Sequence, residues 1–115
     1  MLAYAGFGGR ILPSRMRVVM TTTEIVQAKR DEILRIAARH GVRDVRVFGS
    51  VARGEATENS DIDLLVSAGE ETSPWFPAAL VAELERALGR RVDVVTEDGL
   101  YWLLRRRILR EARPL

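Results

Sequence analysis

Gly49-Ser50-Val51-Ala52-Arg53-Gly54-Glu55-Ala56-Thr57-Glu58-Asn59-Ser60-Asp61-Ile62-Asp63 is the stretch that decides how this chain folds. A Gly-Ser pair is followed by ten residues and then by Asp-x-Asp. Working outward, Val45, Val47 and Phe48 precede the pair as a short apolar strand that stops at Gly49. After it, Ile62, Leu64 and Val66 alternate with Asp61, Asp63 and Leu65, the period-two pattern of a second strand with both aspartates on one face. A third acid, Asp93, stands in another strand-like run, Val92-Asp93-Val94-Val95. Acids on apolar strands beside a small-residue turn work against folding, and such conflicts mark the place to look for function.

The rest of the chain frames these strands. Thr21-x-x-Glu24 is a capping box opening a helix from Glu24 to about His40, striped by Ile25, Ala28, Ile33, Ile36 and Ala37 and stopped by Gly41. A helix starting near Ser73-Pro74 or at Pro77 carries Leu80, Leu84 and Leu88 and ends at Gly89. Asp98 or Gly99 caps a last helix with the stripe Leu100, Leu103, Leu104 and Ile108. The twelve-residue link from Gly49 to Ser60 suits an antiparallel neighbour, whereas the helix-containing link to the third strand suits a parallel one. The expected fold class is therefore α/β (α+β), a small mixed sheet packed with helices on one side. Residues 1–19 show no sustained periodicity and read as a flexible N-terminal extension, leaving 20–115 as the domain.

Composition narrows the function classes. The 115 residues contain no cysteine, which excludes disulfides, thiolate metal sites and Cys nucleophiles and fits a cytoplasmic location. No apolar run is long enough to span a bilayer. Lys29 is the only lysine among 18 basic residues, so no lysine follows a glycine-rich turn and a Walker A loop is excluded. The net charge of +2 is unevenly spread: Arg10, Arg15 and Arg17 stand in an acid-free start, and the remainder is close to neutral. A second cluster, Arg105, Arg106, Arg107, Arg110 and Arg113, complements the last helix's dipole. This distribution argues against nucleic acid as a direct ligand. His40 reads as a dipole partner at a helix end, and Trp75 and Trp102 as core or interface anchors.

Alone, an Asp-x-Asp strand is a solvent-facing alternation and Gly-Ser a turn. Together they specify chemistry. Alternate strand residues project the same way, about 6–7 Å apart, so Asp61 and Asp63 can lean toward one point, and Asp93 can join them from a neighbouring strand. Carboxylates held so close repel unless a cation compensates, and Mg²⁺, a hard oxygen-seeking ion, meets that need. Three carboxylates suffice for two such ions, the pair that clamps an in-line phosphoryl displacement. Gly49 permits close approach, the Ser50 hydroxyl can face phosphate oxygens, Arg53 can neutralise the leaving phosphates, and Ser60 can bond either a phosphate or its own turn.

With these residues in place, the chain resembles the DNA polymerase β-like nucleotidyltransferase superfamily, and within it the minimal nucleotidyltransferases paired with HEPN-domain toxins. Gly49-Ser50, Ser60–Val66 (SDIDLLV) and the hydrophobic-Asp-hydrophobic element at Asp93 carry the resemblance, which runs from about Glu24 to the C-terminus. It implies that Asp61, Asp63 and Asp93 bind Mg²⁺ and that Gly49 and Ser50 hold the nucleotide triphosphate, ATP or another NTP. Asp93 becomes the base that activates an acceptor hydroxyl. It also implies an antitoxin that adenylylates a HEPN toxin; the short segment after the third strand leaves an acceptor site to be completed by a partner. A non-catalytic antitoxin that masks its partner, and a small-molecule nucleotidyltransferase resembling aminoglycoside-modifying enzymes, are the alternatives. Homo- or hetero-oligomerisation is left open.

Overall fold

A computed structural model of the chain describes residues 20–70, 72–100 and 102–115; the extension read over residues 1–19 lies outside them. Helices α1 (Thr22–Ala28) and α2 (Arg30–Arg39) lead into strand β1 (Val42–Phe48), the five-residue helix α3 (Gly49–Arg53) and strand β2 (Ile62–Ala68). Helix α4 (Ala78–Leu88), strand β3 (Val92–Thr96), helix α5 (Trp102–Glu111) and a two-residue strand β4 (Arg113–Pro114) complete the order. The sheet order is β3-β2-β1-β4, with β1 antiparallel to β2 and to β4, and β2 parallel to β3. The mixed sheet expected from the link lengths is the one observed.

One face of that sheet is the core. Val45 and Val47 from β1, Ile62, Leu64 and Val66 from β2, and Val92 and Val94 from β3 pack against Val26, Ile33, Ile36, Leu80, Leu84 and Leu88 of the helices. Every second residue is spent on this face, so the intervening ones, Asp63 and Asp93 among them, must project to the other. The leucine stripe of α4 is wholly buried as the sequence pattern requires, with Pro77 at its start and Gly89 in the left-handed conformation at its end.

The capping box is formed: Glu24 N–H donates to Thr21 Oγ1 and Thr21 N–H to Glu24 Oε1. The single helix expected from Glu24 to His40 is instead two, meeting at Lys29. Backbone bonding continues through the joint, from Lys29 N–H to Ile25 O and from Ile33 N–H to Lys29 O. What changes is the buried face, which passes from Thr22 and Val26 to Ile33, Ile36 and Ala37 and leaves Ala28 exposed.

The last helix departs further. It begins at Trp102 rather than at an Asp98 or Gly99 cap, because Thr96 takes the Gly99 N–H into a turn of its own (3.1 Å to Thr96 Oγ1). Its expected apolar stripe buries nothing; Leu103 and Leu104 are 59% and 48% exposed. Nor are the helices confined to one side: α5 borders the acid-bearing face. Two polar tethers hold it there, Arg105 Nη1 to Glu97 O (2.8 Å) at its start and Glu111 at its end. Among the described residues no helix is long and apolar enough to cross a membrane.

Candidate active site

Register brings the acids together. Asp63 and Asp93 are direct partners across the parallel β2–β3 pair, so their side chains leave the same face side by side. Asp61 lies two residues before Asp63 and shares its direction. Across the antiparallel pair Asp63 faces Phe48, the last residue of β1, which places Gly49 and Ser50 against it. Gly49 has φ +72°, and a Cβ there would overlap the Asp63 carboxylate. Glycine is required at this position twice over, for its backbone conformation and for the close approach.

A cleft of about 450 Å³ opens at this corner, lined by Gly49, Ser50, Arg53, Ser60, Asp61 and Asp63 on one wall and by Leu104, Arg107, Ile108 and Glu111 of α5 on the other. Six of the seven residues singled out from the sequence thus share a single cavity. Asp93 adjoins it through Asp63 but does not line it. The wall from α5 was not foreseen, since the segment after β3 looked too short to enclose a site.

The three carboxylates share a face without closing on one another: among the described residues, no group of three acids or histidines has metal-ligand spacing. Convergence had been expected, and charge explains the difference. Asp61 and Asp93 are exposed, and the nearest cation to Asp61 is Arg91, 3.9 Å away. Neither Arg91 nor Arg105 pairs with Asp93. Asp63, half-buried, has its carboxyl pushed up to about 6, first by burial and then by the charges of Asp93 and Asp61; Arg53 opposes this and Glu111 adds to it. An all-oxygen donor set short of positive charge fits a hard divalent cation such as Mg²⁺.

Ser60 is anchored by its own turn, its Oγ accepting from Thr57 N–H at 2.9 Å. Below it, the fully buried Thr22 donates its hydroxyl to Ser60 O (2.7 Å) and its amide to Thr57 O (2.9 Å), so the start of α1 fastens the segment that presents Asp61. Arg53 is held by two acids, with Nε donating to Glu55 Oε1 (2.9 Å) and Nη1 to Glu111 Oε2 (3.0 Å). Glu111 also accepts the Gly49 N–H at 2.7 Å. Burial opposes its charge, but the Gly49 amide, Arg53 and Arg107 outweigh that and hold its carboxyl below the usual range. This residue escaped the sequence reading. The signal was present, for Glu111 is the sole acid after Asp98, set among five arginines.

A mixed sheet backed by helices, with acids from two adjacent strands beside a Gly-Ser turn, has the fold of a DNA polymerase β-like nucleotidyltransferase. The family model described as "Nucleotidyltransferase domain" matches residues 30–115, and the chain belongs to that family. It is 47% identical over 81 residues to MJ0435 of Methanocaldococcus jannaschii, named as a candidate protein adenylyltransferase, covering 70% of this chain and 87% of that one. It is 45% identical over 73 residues to the protein adenylyltransferase MntA of Thermococcus cleftensis, covering 64% and 74%. A solved structure described as a candidate minimal nucleotidyltransferase superposes with TM-score 0.71 at 50% identity, covering 90% of this chain and all of that one. The fold alone is shared, at 20% identity and TM-score 0.59 over 76% of this chain and 69% of the other, with a chain of the Shewanella oneidensis complex of a tri-AMPylated HEPN toxin with its MNT antitoxin.

Proposed function

We propose that the chain transfers AMP from ATP to a hydroxyl on a HEPN-domain toxin and thereby acts as its antitoxin. The observation that carries this is the in-register pairing of Asp63 with Asp93, two residues beyond Asp61 and against the Gly49-Ser50 turn. The names of the relatives and the composition of the Shewanella complex support protein as the acceptor and a HEPN toxin as the partner.

In this reading Asp61, Asp63 and Asp93 would hold Mg²⁺, which when bound would offset the negative charge of the triphosphate and lower the acceptor's pKa. Ser50 and Gly49 hold the phosphates, and Arg53 faces the β- and γ-phosphates, where charge accumulates as pyrophosphate leaves. Asp93, exposed on the outermost strand, takes the proton of the acceptor hydroxyl. The oxygen then bonds to the α-phosphorus as the bond to the bridging oxygen of pyrophosphate breaks. An open cleft of about 450 Å³ has room for a nucleotide and leaves the acceptor to arrive from outside. Incubation with α-labelled ATP, Mg²⁺ and the product of the neighbouring gene should label that product, and Asp61→Asn should abolish the labelling. Equal labelling by the two proteins would refute the proposal.

One observation favours a second reading, an antitoxin that masks its partner without chemistry. Trp75, Leu103 and Leu104 are exposed apolar side chains of the kind that interfaces cover. Tyr101, which adjoins Trp102 in the sequence, lies outside the described residues. Neutralisation that survives Asp61→Asn with Asp63→Asn would decide for masking.

A further inference from the structure

Glu111 has no part in the acid triad, yet it bonds two of the groups assigned to the triphosphate. Its Oε1 accepts the Gly49 N–H and its Oε2 accepts from Arg53 Nη1. From the opposite side, Glu55 takes Arg53 Nε. A guanidinium carries five N–H donors in one rigid plane. Two acids gripping it on different edges fix that plane and leave three donors free.

The mount of Glu111 is stiff. It is the last residue of α5, and two residues later Arg113 enters the sheet opposite Val47. Val47 itself precedes Phe48 and the Gly49 turn, so Glu111 and the turn are braced against the same strand. The Glu111 side chain is 17% exposed and that of Arg53 39%. The Ser50 hydroxyl, which has no protein partner among the described residues, remains on the cleft wall.

We infer that Glu111 is a positioning residue for nucleotide binding: it orients Arg53 and the Gly49 amide so that the turn meets the β- and γ-phosphates of the incoming triphosphate. A carboxylate can occupy such a place in another way, as an internal substitute for phosphate that must leave before nucleotide binds. The two roles predict opposite signs. The braced mount and the three unused donors of Arg53 favour positioning. The inference rests on the nucleotidyltransferase reading of the cleft.

The test is equilibrium binding of three probes to the full chain and to Glu111→Gln: a non-transferable ATP analogue, inorganic tripolyphosphate and adenosine. Affinity for the analogue and for tripolyphosphate should each fall about tenfold, the scale of one charge-assisted hydrogen bond lost, while adenosine binding is unchanged. In an Arg53→Ala background the same substitution should cost clearly less than tenfold, because the share of its effect that runs through that guanidinium is already lost and only its hold on the Gly49 amide remains. Glu83→Gln removes an acid that holds Arg39 and His40 elsewhere. It should alter thermal stability without altering any of the three affinities. Unchanged or tighter tripolyphosphate binding by Glu111→Gln overturns the inference and leaves the enzymatic reading standing. Failure of the unsubstituted chain to bind either triphosphate overturns both.

Discussion

The Asp63 carboxylate rests against the Cα of Gly49, so closely that an added methyl group would lie 3.1 Å from Asp63 Cγ and overlap its Oδ2. The turn that would hold phosphate and the acid that would hold metal are thereby built as one unit. Replacing Gly49 by Ala imposes the left-handed backbone conformation on a residue with a side chain, at about 1–2 kcal/mol, and also displaces Asp63. The variant should melt several degrees lower and, even at saturating ATP, transfer at least about a hundredfold more slowly, the scale on which misplaced reacting groups lose rate. Near-normal turnover would show that the contact is incidental.

Asp63 also sets a pH dependence. Its carboxyl is raised in the folded chain from 3.8 to about 6, chiefly by burial and then by Asp93 and Asp61, so the folded state holds the proton more tightly than the unfolded state. The stability linked to that proton is complete below pH 4 and is lost as pH rises through about 6. Metal-free Asp63→Asn should therefore be more stable than the parent at pH 7–8, and the two should converge below pH 4. Adding Mg²⁺ at pH 8 should raise the melting temperature of the parent more than that of the variant. Thermal melts across this range, with and without Mg²⁺, make the comparison.

Thr22 is a second support. Its buried hydroxyl is the donor to Ser60 O, and Val in its place leaves that carbonyl unpaired at about 1–3 kcal/mol. Thr22→Val should lower both stability and transfer rate, whereas Thr23→Val beside it should lower neither. Denaturant unfolding and the labelling assay read the two effects.

Helix α5 yields a prediction of the opposite kind. Leu103 is largely exposed, so Leu103→Asp should leave the melting temperature within about 1 °C of the parent, as surface substitutions do. If α5 forms part of the toxin interface, the same change should weaken co-purification of the toxin.

How much of this was legible in the sequence depends on how each residue earns its place. Strands β1, β2 and β3 and the stripe of α4 bury an alternating or helical pattern, and such patterns are visible in one dimension. That the strands of Asp63 and Asp93 run parallel followed from link lengths alone, because a crossover containing a helix favours parallel neighbours, whereas the register that pairs the two acids had no signal in the sequence. Glu111 was missed because its role comes from contacts across 62 and 58 residues, with no periodicity behind them. Strand β4 was missed because Arg113-Pro114 is too short to alternate, and its proline suits only an edge strand. Helix α5 misled for the converse reason. Its leucines repeat like a core stripe, but among the described residues no element covers Leu103 or Leu104.

The decisive measurement is transfer of label from α-labelled ATP to the proposed HEPN-domain partner, comparing the parent with Asp61→Asn, Asp63→Asn and Asp93→Asn at matched concentration. The account predicts Mg²⁺-dependent labelling by the parent and a loss of at least about a hundredfold in each variant, the scale expected for removal of a group that acts on the reacting atoms. Labelling by Asp93→Asn equal to that of the parent would contradict it.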